Sequence, residues 1–124
     1  SSAASDVYKR QVMKCDIKIY ICSDSGEKFF GQGPYELLKK IEKLGSLRKA
    51  SMEMNMAYTK ALQLLDKAEK ELGFKLCEKS IGGKGGGGSV LSNEAREFID
   101  KYEKYADECR KSSQEIYNRY FDQQ

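Results

Sequence analysis

Gly45-Ser46-Leu47-Arg48-Lys49-Ala50-Ser51-Met52-Glu53-Met54-Asn55-Met56, then the longer run from Ala57 to Leu72 closed by Gly73, decides the fold of this chain. Ser46 suits the N-cap of a short helix, because its hydroxyl accepts a bond from a backbone N–H that has no helical partner. Asn55 falls where the chain must turn, and Asn tolerates left-handed backbone better than most residues. After the turn, Ala61, Leu65, Ala68 and Leu72 recur on one face of a second helix. That spacing leaves Tyr58, Thr59, Leu62 and Gln63 on or near the opposite face. Gly73 supplies the stop. A short helix, a tight turn and a second helix with polar and basic residues on its opening turn predict a helix-turn-helix.

Upstream, Leu37, Leu38, Ile41 and Leu44 share one helical face after Pro34, which suits the first position of a helix, and Gly45 ends that helix. With the two helices above it forms a three-helix core. Before it, Ile17-Lys18-Ile19-Tyr20-Ile21 alternates like a half-buried strand running from Cys15 to Cys22, and Lys28-Phe29-Phe30 returns across the Ser23-Asp24-Ser25-Gly26 turn as an N-terminal β-hairpin. A lone hairpin is marginal in water, so this one must pack on the helices or pair across a dimer. Residues 1–12 are set aside as a non-native or disordered leader. Ser1 to Gln11 reads like an in-frame translation of a cloning adapter, and Met13 is a fitting native start.

Downstream, Phe74 to Ile81 and Ser89-Val90-Leu91 are strand-like runs around Gly82-Gly83-Lys84-Gly85-Gly86-Gly87-Gly88. A hairpin of this kind, directly after a helix-turn-helix, is a wing. The glycine tip fails the G-x-x-x-x-G-K-[ST] phosphate loop, since Gly85 follows Lys84 and a strand follows the glycines. A glycine-rich wing approaching a DNA backbone, with Lys84 on a phosphate, weighs more than a merely flexible tip. From Ser92 to about Phe121 there is no Gly or Pro. Ala95, Phe98, Ile99, Tyr102, Tyr105, Ala106, Cys109, Ile116, Tyr117 and Tyr120 fall three and four apart, a helical stripe about 45 Å long. A rod of that length overhangs the small body before it, and a second copy of the chain is the natural cover. Phe98, Tyr102, Tyr105, Cys109, Ile116 and Tyr120 are the residues expected to dimerise.

Bulk composition narrows the function. The chain has 124 residues, enough for one ordinary domain, with 40% hydrophobic and 33% charged residues. No run approaches the ~18 apolar residues of a membrane span, and no secretory signal is present, so a cytoplasmic protein is expected. There is no histidine, which rules out imidazole general-base catalysis, His-containing triads and His-containing zinc sites. Cys15, Cys22, Cys77 and Cys109 form no C-x-x-C pair and are expected as free, mostly buried thiols. The net charge of +3 is compatible with nucleic acid but does not single it out. No catalytic pair, metal cluster or cofactor motif can be assembled, so no enzyme is expected.

The opening turn of the second helix carries the candidate chemistry. N-terminal residues of such helices reach base edges in the major groove. Gln63 can pair with adenine, Thr59 can offer hydroxyl or methyl, and Leu62 can meet a thymine methyl. Tyr58 divides evenly between that role and packing on the core. Arg48, Lys49, Lys79 and Lys84 are the cations expected on phosphates, which position a protein without reading sequence. Ser46, Ala57 and Lys60 complete the candidate DNA-binding set.

These residues meet a known family. Gly45-Ser46-Leu47 with Ala50, the Leu64-Leu65 and Ala68-Glu69 pairs, Leu72-Gly73-Phe74-Lys75-Leu76 and Glu78-Lys79 resemble the N-terminal winged domain of LysR-type regulators. The glycine wing from Gly82 through Ser89-Val90-Leu91-Ser92 narrows the resemblance to ModE-type regulators of molybdate uptake. The resemblance implies a DNA-binding dimer on a promoter, controlling molybdate or other metal-oxyanion transport genes. Where the family opens its reading helix with Ser-Tyr and a basic residue and then places Trp after Ala, this chain has Ala57, Tyr58, Thr59 and, after Ala61, Leu62; Ala95 stands where Gly is expected. Larger members bind molybdate through further C-terminal domains; this chain ends after the long helix, and no small-molecule effector site is expected in it. The expected architecture is therefore α+β: a winged helix-turn-helix over 13–91 with an N-terminal β-hairpin, and a C-terminal dimerisation helix over 92–124. The predicted function is a DNA-binding transcriptional regulator. The alternative is a winged-helix protein-interaction module without DNA binding.

Overall fold

Helix stops in this chain are written in its glycines. In the computed structural model, which describes residues 13–80 and 88–121, Gly45 and Gly73 adopt left-handed backbone at φ 71° and 81° and donate their N–H groups to the carbonyls of Ile41 and Glu69. They close helix α1 (Gln32–Leu44) and helix α3 (Tyr58–Leu72). Between them lies α2 (Leu47–Glu53), whose N-cap Ser46 accepts the Lys49 N–H as expected. Asn55 makes the turn into α3 at φ 53°, and among the described residues it alone has positive φ without being glycine. Helix α1 begins two residues earlier than Pro34 predicts. The proline's missing N–H still falls among the first-turn donors that have no helical partner, so it costs no bond there.

Two compact units divide the chain, the larger running from Lys18 to Lys104. It holds β1 (Ile21–Cys22) and β2 (Lys28–Phe30) as one antiparallel pair, the three helices, β3 (Cys77–Ser80) and β4 (Gly88–Leu91) as a second antiparallel pair, and the first part of α4 (Asn93–Phe121). The described residues are thus α+β, with four helices and two small antiparallel sheets. Phe30 is the hub of the core. Its ring meets Phe98 at 4.8 Å and Tyr102 at 5.0 Å, both edge to face, the arrangement that opposite ring-edge and ring-face charge favours. Leu37, Leu38, Ile41, Ala61, Ala68 and Leu76 are fully buried around it. The Tyr102 hydroxyl donates to the Ile19 carbonyl at 2.8 Å, so the polar end of a buried ring is satisfied and the N-terminal segment is held. Ser92 does similar double work: its hydroxyl donates to the Lys75 carbonyl at 2.6 Å and accepts the Ala95 N–H at 3.0 Å, capping α4.

The expected strand from Cys15 to Cys22 shrinks to Ile21–Cys22. Its alternation survives as burial, with Ile19 inside and Lys18 and Tyr20 outside. A strand nevertheless needs a partner's backbone, and β2 offers only three residues before Gly31 leads into α1. Gly31 stays glycine for a local reason: a Cβ there would come within 2.7 Å of the Tyr20 ring. The smaller unit contains described residues 13–17 and 105–121. There the Cys15 thiol lies 3.5 Å from both Ser113 Oγ and Gln114 Oε1, and the Tyr117 and Phe121 rings are 5.0 Å apart. All four cysteines are free, yet three are only half-buried and Cys22 is exposed, so "mostly buried" is corrected. No helix among the described residues is long and apolar enough to cross a membrane.

The turn at Asn55 gives a direct test. Replacing Asn55 with Val places a β-branched residue in left-handed backbone and is expected to lower stability by about 1–2 kcal/mol, while Asn55→Gly is tolerated. Urea unfolding of the two variants checks the difference.

Candidate nucleic-acid interface

Burial of one face of α3 decides what its other face can do. Ala61, Leu65 and Ala68 are buried, as their spacing predicts. Thr59, Lys60 and Gln63 are exposed in consequence, and Leu62 is 43% exposed rather than covering a neighbouring helix. Ala57 precedes the helix in extended backbone and offers no side-chain cap. Tyr58 makes a contact that neither expectation named. It is half-buried and carries the Arg48 guanidinium 4.3 Å over its ring, so α2 is pinned to the start of α3 by a cation–π contact. Nothing in the residue spacing announces that pairing, because the two residues belong to different helices.

The cations around this surface differ from their neighbours. Lys40, Lys67 and Lys70 are ion-paired to Glu53, Glu27 and Asp66 at 3.0, 2.9 and 3.1 Å. Arg48, Lys49, Lys60 and Lys79 are exposed and have no carboxylate partner among the described residues. Three of them sit on α2 and α3, and Lys79 sits on β3.

The hairpin is tied to the helices by hydrogen bonds near its ends, one between backbones and one to a side chain. The Ser89 N–H donates to the Gly45 carbonyl at 2.8 Å, joining β4 to the junction of α1 and α2. The Leu76 N–H donates to the Glu69 carboxylate at 2.8 Å, joining the entry of β3 to the last turns of α3. Strand register pairs Cys77 with Leu91 and Lys79 with Ser89. Gly88 is packed so closely that a Cβ would lie 2.8 Å from the Ser80 Cβ. The tip from Ile81 to Gly87, with Lys84, lies outside the described residues.

The residues expected to dimerise split into two sets. Tyr102 is buried and Phe98 half-buried, both packed on Phe30 within the larger unit, so Tyr102 is not presented outward and Phe98 only in part. Tyr105, Ile116 and Tyr120 are exposed, as is Phe121, and Cys109 is half-buried. Among the described residues no cluster of three or more His, Cys, Asp or Glu could hold a metal ion.

No family model matches the chain. Over 67 residues it is 33% identical to a protein of Haemophilus influenzae named transcriptional regulator ModE, a stretch covering 54% of this chain. The match spans 26% of that protein's length.

Cys77, on the strand that carries Lys79, has a displaced titration. Burial and then the negative charge of Glu69 push it from its ordinary value of 9.0 up to about 12. The unfolded chain gives up this proton near pH 9 and the folded chain keeps it, so this thiol's contribution to stability is full below pH 9 and lost as pH rises towards 12. At pH 8.5, iodoacetamide is expected to modify exposed Cys22 well before Cys77, with urea removing the difference; peptide mapping reads both sites.

Proposed function

We propose that this chain is a DNA-binding transcriptional regulator of winged helix-turn-helix form, with α3 reading the major groove and the β3–β4 hairpin serving as the wing. The observation that carries the reading is the exposed opening turn of α3, with Thr59, Lys60 and Gln63 outward while Ala61 and Leu65 are held inside. Donors and acceptors at the start of such a helix are what base-edge recognition requires. Arg48, Lys49, Lys60 and Lys79, which have no carboxylate partner among the described residues, supply phosphate contacts around it. Similarity to the Haemophilus influenzae regulator covers only part of each chain and adds support from a separate direction. Asp66 and Glu69 lie one and two turns further along α3. Their charge disfavours phosphate there and confines the DNA to the helix's N-terminal end.

In this reading the chain binds as a homodimer. Tyr105, Ile116 and Tyr120 are exposed and share one face of α4, which supports a second copy of the chain as their cover. The twofold pairing of readers matches an operator with two half-sites. Control of molybdate or other metal-oxyanion transport genes is the regulatory role this assignment proposes.

A titration against DNA from upstream of its own gene tests the proposal. Binding of two chains per duplex is expected, with log affinity falling about 0.9 per phosphate contact as log salt rises. Gln63→Ala and Thr59→Ala each weaken specific binding by about 1–3 kcal/mol, whereas Lys60→Ala weakens all duplexes alike and lowers the salt slope by about one. Affinity that is flat against salt, or indifferent to all three substitutions, leaves the protein-interaction alternative standing.

A further inference from the structure

Between α3 and the β3–β4 hairpin the larger unit has an open groove of about 820 Å³. Its size falls within the ~300–1,000 Å³ of small-molecule sites. Along the helix side, Tyr58, Leu62, Asp66 and Glu69 follow one another at spacings of four, four and three residues, so one wall runs from apolar at one end to anionic at the other. Leu47 and Leu65 add to the apolar end, and Cys77 faces the helix from the strand. Of the three carboxylates in the lining, Glu78 is exposed on β3, and the two on the helix are not equivalent. Asp66 is exposed and paired with Lys70, while Glu69 is half-buried and spends one oxygen on the Leu76 N–H; the other has no partner among the described residues. Lys75 and Lys79 line the rim, both exposed, and neither is bonded to Glu69. Cys77 reports the same environment, since burial and the Glu69 charge together keep its thiol protonated.

We propose that this groove binds a lipophilic organic cation, its apolar body lying against Leu62 and Tyr58 and its positive charge meeting the Glu69 carboxylate. An apolar groove ending at a half-buried carboxylate selects for that combination, because a neutral ligand gains nothing from the charge and an anion is repelled by it. Because Leu62, Gln63 and Lys79 line the same groove, an occupied groove competes with DNA for them; the groove itself does not depend on DNA binding.

The test uses the full chain, without DNA, and two dyes of one ring frame and opposite charge: cationic rhodamine 6G and anionic fluorescein, followed by fluorescence anisotropy. Rhodamine 6G is expected to bind one per chain at micromolar concentration, and fluorescein at least about tenfold more weakly. Glu69→Gln keeps a carbonyl for the Leu76 N–H and is expected to weaken rhodamine 6G about tenfold, the scale of one charge-assisted contact. Leu62→Ala, at an exposed position, weakens it as well, while Glu71→Gln on the same helix but away from the groove leaves it unchanged. Equal binding of the two dyes, or a Glu69→Gln variant that melts like the parent and binds rhodamine 6G as tightly, overturns the proposal. Because no DNA is present, that failure is distinct from failure of promoter binding.

Discussion

Burial of Ala61, Leu65 and Ala68 is the constraint from which the rest of the larger unit follows. A helix can bury only one stripe, so seating this one fixes the rotation of α3 about its axis and turns Thr59, Lys60 and Gln63 outward. Small residues at two of the three positions let α3 approach its neighbours closely. The Asn55 turn sets where the helix begins and Gly73 where it ends. The same rotation brings Leu62 and Glu69 beside the hairpin, so the proposed reading surface and the groove are two uses of one orientation.

Around that helix, the connections are mostly single bonds placed at element ends. Gly45 accepts from Ser89, Glu69 from Leu76, and Ser92 bridges Lys75 and Ala95. Each satisfies a backbone group that a helix end or strand start leaves without a partner. The hairpin is thereby held to α1, α2, α3 and α4 without a large apolar face of its own, which fits the exposure of Val90 and Lys79. Aromatic packing of Phe30 on Phe98 and Tyr102 joins β2 to α4 within the core.

Local signals were legible where one residue decides the geometry. Gly45, Gly73, Asn55 and the Ser46 cap all do in the structure what their chemistry implies. Partner-dependent features were not. The Ile17–Ile21 alternation marks which side chains are buried but not whether a neighbouring strand exists to pair with them. The stripe on α4 is continuous in spacing, yet Phe98 and Tyr102 pack on Phe30 while Tyr105, Ile116 and Tyr120 stay exposed; periodicity cannot say which part of one face packs within the chain. The Arg48–Tyr58 contact and the groove need the packing of distant segments, so no motif announces them.

Backbone amide NMR of the chain titrated with duplex DNA from its own promoter tests the central claim most directly. The account predicts that the largest shifts fall on Tyr58 to Gln63, with smaller ones at Arg48, Lys49 and Lys79, while Ala68 and the last turns of α3 stay nearly still. Shifts absent from the opening turn of α3, or concentrated on β1 and β2 instead, would contradict it.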